Sequence, residues 1–335
     1  MSGHAPIQYD SGRPPSVASH IFIFGIASAI FVSLAIYEVF EFNAWGQITL
    51  LYSYHVPFID LIDHPHFFRF FVTYPGLLAE DYWGYGWFSA YISIFIVGSG
   101  YLIYRICRHR GIFSVILALI LIMPFHSLMN GRGVLSWFGW ILAIFMITKP
   151  IMENYRRTDI ALFFLAALCS SVSTGTFAVA FTAINIALIY RFSKNGFKRN
   201  IFILVMLLLV FYGYFTVSFS KNIEFYDYGD GVLVNIISHG LGGILSQNIS
   251  LIIVLLAFFL FTPFILDFIL KKIGFVNSAI LIVPLVGGIF GFTTLTLAIP
   301  AAVLLLVTRA SPNSFHLAPV GQQQRQRVAS FPAPS

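Results

Sequence analysis

Residues 112–148 read IFSVILALILIMPF, then HSLMNGRG, then VLSWFGWILAIFMIT, and this stretch decides the fold. Two apolar runs flank a polar break that begins at His126 and ends at Gly133. One helix through the break would place Arg132 in hydrocarbon, at a cost of at least about 2.5–3.5 kcal/mol. Two helices meeting at a re-entrant or surface turn avoid that burial and keep their backbone groups satisfied. The stretch therefore reads as a hairpin of two short spans, 112–125 and 133–148.

The same punctuation recurs from Ser170 to Thr176 and from Gly287 to Thr294. Applied along the chain, it gives ten spans at roughly 20–40, 88–104, 112–125, 133–148, 159–171, 177–190, 200–219, 249–270, 275–288 and 293–308. The fold class expected is an all-α polytopic membrane protein with about ten transmembrane helices, several of them short or broken. Composition agrees. The 335 residues are 58% hydrophobic and 10% charged, with mean hydropathy +0.86, whereas soluble domains are about a quarter charged. Two cysteines, Cys107 and Cys169, exclude a disulfide framework or a cysteine-built metal site. Residues 1–19 are polar, and the apolar run from His20 is long enough to stay as an anchor rather than be cleaved.

A net charge of +6 would suit nucleic acid, but the distribution of charge argues against it. Of the 19 Lys and Arg residues, all except Arg69, Arg132 and Lys221 fall at one set of span ends, the cytoplasmic side by the positive-inside rule. Apart from Asp10, Glu153, Asp159 and Asp267, the carboxylates fall on the other side. Both termini are expected inside. The organisation is a cytoplasmic tail at 1–19, a transmembrane domain at 20–308 with outer loops near 41–87 and 220–248, and a disordered cytoplasmic tail at 309–335.

Breaks that are not basic loops open on the outer face, and the candidate chemistry collects there. Asp60, Asp63, His64, His66 and Arg69 lie within ten residues, beside the aromatic run Phe67, Phe68, Phe70 and Phe71. Asp63, His64 and His66 have metal-ligand chemistry, but no helical i, i+4 ligand pair supports a metal, and an interfacial aromatic anchor is the preferred reading. Glu80 and Asp81 adjoin Trp83 and Tyr85. Aromatic faces beside carboxylates suit sugar rings, and they equally suit an aromatic belt at a bilayer surface. Arg132, with His126 and Asn130 before it, is the strongest feature: a planar donor fork between two glycines suits an anion such as a pyrophosphate. A structural ion pair with Asp227 or Asp230 is its competing role. The turn of Ser170, Ser171, Ser173 and Thr174 reads as helix capping. His239, beside Gly240, is an acid/base candidate in the second outer loop.

Met129-Asn130-Gly131-Arg132-Gly133-Val134-Leu135-Ser136, with the span to Ile147, resembles the arginine-bearing helix start of EpsG-type members of the Wzy-like (O-antigen) polysaccharide polymerases. The similarity covers about residues 105–192. Where the family often carries a histidine in the next hairpin, this chain has Ser171, Ser173 and Thr174. The resemblance implies a glycosyl-transferring enzyme of a bacterial inner membrane, joining undecaprenyl-pyrophosphate-linked oligosaccharides on the outer face. It implies no cofactor, and its partners are the lipid-linked glycan, the bilayer and a chain-length regulator. Arg132 and Arg69 would stabilise the leaving pyrophosphate, and His126, Asn130, Trp83 and Tyr85 would line the substrate site. The general base would come from Asp60, Asp63, Glu80, Asp81 or His239. Two other classes compete. His126, a serine near 171–173 and His239 stand in the order of a rhomboid-type intramembrane serine protease, without its Gly-x-Ser-Gly. Short broken spans also occur in transporters and flippases, although no pair of intramembrane carboxylates marks an ion path.

Overall fold

The computed structural model describes residues 17–39, 41–43, 46–62, 64, 66–108, 111–148, 157–195, 275–287 and 292–308, with isolated positions between 205 and 235. Every regular element among them is a helix. They are α1 (Val17–Ile36), α2 (Gly46–Ser53), α3 (Phe58–Leu61), α4 (Phe67–Trp83), α5 (Trp87–Cys107), α6 (Ile112–Ser127), α7 (Gly131–Thr148), α8 (Arg157–Ser170), α9 (Thr174–Asn195), α10 (Phe275–Gly287), α11 (Phe292–Thr296) and α12 (Ala298–Thr308). No strand occurs among the described residues. Helices occupy the expected spans, except that 200–219 is described at single positions and 249–270 lies outside the described residues. Two of the helices, α5 and α7, are long and apolar enough to cross a bilayer; the apolar stretches described in the others, such as Phe24–Ile36 in α1 and Thr174–Ala187 in α9, are shorter.

The hairpin read from 112–148 forms as α6 and α7. Its turn is fixed locally: Asn130 Oδ1 accepts from Gly133 N–H at 2.8 Å, so Asn130 caps the first turn of α7. Helix α7 is the centre of the bundle, with every residue buried except Arg132, Phe145 and Thr148. Trp137 and Trp140 are fully enclosed. Their indole N–H groups still find acceptors, Thr296 Oγ1 at 3.3 Å and Leu297 O at 2.9 Å, as buried donors must.

Contacts along α7 set the directions of its neighbours. Gly131 lies against Phe88 and Ile92, and Gly98 lies against Phe138, so α5 and α7 run parallel. Gly139 lies against Ala166 and Ser170, so the last turns of α8 cross α7 at its midpoint. The end at which α5 and α7 begin is here the upper end. The α8–α9 turn then sits level with Gly139, about 12 Å below the start of α7 at 1.5 Å per residue. It is a turn inside the bundle rather than at its upper end.

The segment 41–87, expected as an outer loop, carries α2, α3 and α4. Arg69, Pro75, Glu80 and Asp81 interrupt the apolar run and hide α4 from a span search. Its helical period is present in burial instead: Phe70, Thr73 and Leu77 are buried while Phe71 is exposed. The helix runs from the α8–α9 turn, where Phe68 packs with Ala167 and Phe177, up to the start of α5. There Gly86 joins the two helices with φ +91, and a side chain on it would press on Ala35 O at 3.1 Å. Glycine meets both demands.

Helix α6 exposes Ile112, Phe113, Ile116, Leu117, Ile120, Leu121 and Phe125 along one face. A contiguous apolar stripe of that kind suits a hydrocarbon surround and is rare on water-facing surfaces.

Candidate functional site: a polar layer inside the bundle

At the level of Gly139, several buried polar side chains meet where sequence reasoning expected capping alone. Ser170, Ser171, Ser173, Thr176 and Thr294 are each at most 3% exposed. A side chain on Gly175 would collide with Thr294 Oγ1, which brings α9 and the α11 break into direct contact. Ser171 Oγ donates to Leu168 O at 2.6 Å and ends α8. Ser170 Oγ, Thr176 Oγ1 and, one turn higher on α7, Ser136 Oγ find no hydrogen-bond partner among the described residues. Buried hydroxyls without partners are uncommon.

Arg69 reaches into this layer from α4. It is 7% exposed, and its Nη2 donates to Thr174 Oγ1 at 3.2 Å. Its Nη1 donates to His66 Nδ1 at 2.9 Å, which fixes that histidine nitrogen as an acceptor. His64 Nδ1 accepts from His66 N–H at 3.1 Å, and the two rings meet edge-on at 5.1 Å. Burial, and then the charge of Arg69, push His64 below the ordinary histidine range. The pair that had metal-ligand chemistry in the sequence thus serves to steer an arginine. Asp63 lies outside the described residues, and among those described no cluster of three metal-ligating side chains forms.

Arg132 stands on the first turn of α7 at the upper end, half-buried. The glycines beside it do a different job from the one expected. A Cβ on Gly131 would lie 3.2 Å from Phe88 and 3.3 Å from Asn43 O, and one on Gly133 would lie 2.9 Å from Met129. They admit neighbouring protein rather than a ligand. His126 is completely enclosed; its Nε2–H donates to Val134 O at 3.0 Å, and its ring stacks on Trp137. His126 therefore braces the start of α7 from the interior, and Asn130 caps it while remaining exposed.

The acidic candidates separate by their partners. Glu80 Oε2 accepts from Phe88 N–H at 3.1 Å, capping α5 from the preceding helix. Asp81 Oδ2 accepts from the Tyr52 hydroxyl at 3.2 Å; burial, and next the charge of Asp81, raise that phenol above its usual value. Asp60 is exposed on α3. His239 lies outside the described residues. Tyr85 bonds Glu41, which raises its phenol, and together with Tyr82 and Trp83 it leaves an exposed aromatic rim, where Trp83 packs on Trp87 at 4.8 Å.

The arrangement is two-tiered. Helix α7 starts at the upper end with Arg132, and α9 starts in the submerged layer with Arg69 beside it. Helix starts carry partial positive charge and free N–H groups, so both tiers favour anions. Sequence reading missed the lower tier because the Arg69–Thr174 contact joins residues 105 positions apart. Comparison of the chain with family models, with curated proteins and with solved structures finds no match in any of the three.

Proposed function

We propose that this chain is a polytopic membrane glycosyltransferase that polymerises oligosaccharides carried on a lipid diphosphate, at the outer face of a bacterial inner membrane. The observation that carries the reading is the buried Arg69 beside the start of α9, inside a bundle with an exposed apolar flank. Arg69 sets a positively charged donor group at that depth, steadied by His66 and Thr174. A lipid-linked diphosphate brings its charge on a tail that can reach such a depth. The ten-span topology with both termini inside, and the resemblance to EpsG-type polymerases, belong to the same proposal.

In this scheme the leaving diphosphate develops charge that Arg69 and Arg132 neutralise with preorganised donors. The aromatic rim of Tyr82, Trp83 and Tyr85 receives sugar at the upper end. Glu80 caps α5 and Asp81 accepts from Tyr52, and the acceptor hydroxyl is deprotonated by one of Asp60, Asp63, Glu80, Asp81 or His239. The protease reading is weakened by Ser171, whose hydroxyl is committed to Leu168 O, and by the enclosure of His126. The test is the lipid-linked glycan profile of a strain lacking the gene. Accumulation of single repeat units is the expected result, and an unchanged glycan profile overturns the proposal.

A further inference from the structure

Helix α4 carries three interruptions within one turn. Thr73 Oγ1 donates back to Arg69 O at 2.7 Å and to Phe70 O at 3.2 Å, a pairing that bends helices. Pro75 has no N–H to offer Phe71 O, and its ring crowds that carbonyl. At Gly76 a Cβ would lie 2.6 Å from Tyr91 Cδ1 and 2.9 Å from Phe88 Cδ2, so glycine is what leaves room for the α5 rings. Proline, glycine and back-bonding threonine are the usual causes of a kink. Tyr91 fills the notch they make. Its ring occupies the space beside Gly76, and its hydroxyl donates to Val72 O at 2.7 Å, on the carbonyl next to the one that Pro75 leaves without its helical donor. That bond comes from α5, so it ties the segment before Pro75 to another helix. Tyr91 is itself set edge-on against Phe95, and Phe95 against Phe138 of α7, with ring centres 5.1 and 5.2 Å apart. The tie is rooted in the centre of the bundle.

The two sides of the notch are secured differently. Beyond it, Glu80 holds the amide of Phe88 in the first turn of α5. Before it, Phe70 and Val72 reach the inner core, while Phe68 packs on a separate small cluster of Ala167 and Phe177, and Arg69 meets Thr174. We propose that α4 is hinged at Pro75–Gly76, and that the Tyr91 hydroxyl is the latch that keeps its first two turns seated against the α8–α9 turn. With the latch closed, α4 moves as one rod. With it open, the segment 67–74 swings about the notch and carries Arg69 away from Thr174, the Arg69–His66 bond travelling with it. Bending at this point is cheap in hydrogen bonds, because proline has already removed one. The hinge belongs to the bundle itself, so it is independent of the polymerase reading and is tested without a substrate.

The test is amide hydrogen exchange of the full-length protein in detergent, read by mass spectrometry. Tyr91→Phe keeps the ring and removes the donor. Loss of one neutral hydrogen bond should speed exchange in the peptide covering 67–74 roughly 2- to 10-fold, with α7 and the 78–83 end of α4 unchanged. Gly76→Ala, which displaces the Tyr91 ring, should act on the same peptide by at least as much. Adding Tyr91→Phe to it should change little more, because the bond is already gone. Tyr82→Phe, at a phenol 76% exposed on the same helix, is the control and should exchange like wild type. Exchange in 67–74 that Tyr91→Phe leaves unchanged, or that rises equally in α7, overturns the proposal, as does an additive effect of the two substitutions.

Discussion

Gly139→Ala is the sharpest test of how α7 and α8 hold the polar layer in place. The added Cβ would sit 2.6 Å from both the amide nitrogen and Oγ of Ser170, and 3.0 Å from Ala166 O. Two of those atoms are backbone, so no side-chain rotation relieves the contact, and the helices must separate. Overpacking of this kind costs about 1–3 kcal/mol, offset by up to about 1 kcal/mol of helix propensity gained on replacing glycine. The net expectation is a loss of about 0–3 kcal/mol, centred on about 1.5. Gly25→Ala is the matched control, because nothing lies within 4 Å of a Cβ at that position in α1; it should be neutral or stabilising by less than about 1 kcal/mol. Unfolding in mixed detergent micelles, followed by tryptophan fluorescence, compares the two. Close helix packing through small residues is the usual means of association in lipid, so the loss should appear in activity as well as stability. If Gly139→Ala is as stable as Gly25→Ala, the α7–α8 contact is looser than described and the level assigned to the α8–α9 turn falls with it.

Other expectations follow from single residues. Leu128 is 85% exposed at the tip of the α6–α7 turn, so Leu128→Cys should react with an impermeant maleimide from outside intact spheroplasts; labelling from the cytoplasmic side alone sinks the topology. Arg132→Lys should lower polymer synthesis roughly 10- to 150-fold, the equivalent of a lost charged hydrogen bond of about 1.5–3 kcal/mol, with normal membrane abundance; full activity in Arg132→Lys at normal abundance would mean that the residue contributes charge alone. His64 is lowered below 6.5 by burial and then by Arg69, so between the two values the unfolded state binds more protons than the native one. Its contribution is then a destabilisation that grows as pH falls through about 6.5 and vanishes above it. Melting temperatures of wild type and His64→Gln across that range should converge at high pH and diverge at low pH, and parallel curves refute the assignment.

Much of the helix order was legible because each break changes chemistry abruptly. His126 to Gly133 and Ser170 to Thr176 replace apolar residues with polar ones over a few positions; α6 ends and α7 begins at the first, and α8 ends and α9 begins at the second. Helix α4 was not legible as a helix. Its buried face alternates with charge and proline, so no window of it is apolar enough to stand out. The role of Arg69 depends on Thr174, and that of Glu80 on the amide of Phe88; neither pairing follows a helical or strand period, so no local pattern announces it. The glycines around Arg132 show the opposite limit. Sequence correctly places a close approach there, but it does not say that Phe88, Asn43 and Met129 are what approaches.

The course of α4 has a mechanical consequence. At 17 residues it is a rod of about 25 Å, too stiff to bend appreciably except at Pro75, and it is anchored at both ends. Its lower end carries Arg69 into the submerged turn, and its upper end carries Glu80, which clamps the first turn of α5, and Trp83 in the aromatic rim. A displacement at the rim therefore travels along the rod to the guanidinium, and a tilt of the guanidinium travels back. The aromatic rim and the submerged turn therefore sit at the two ends of one stiff element.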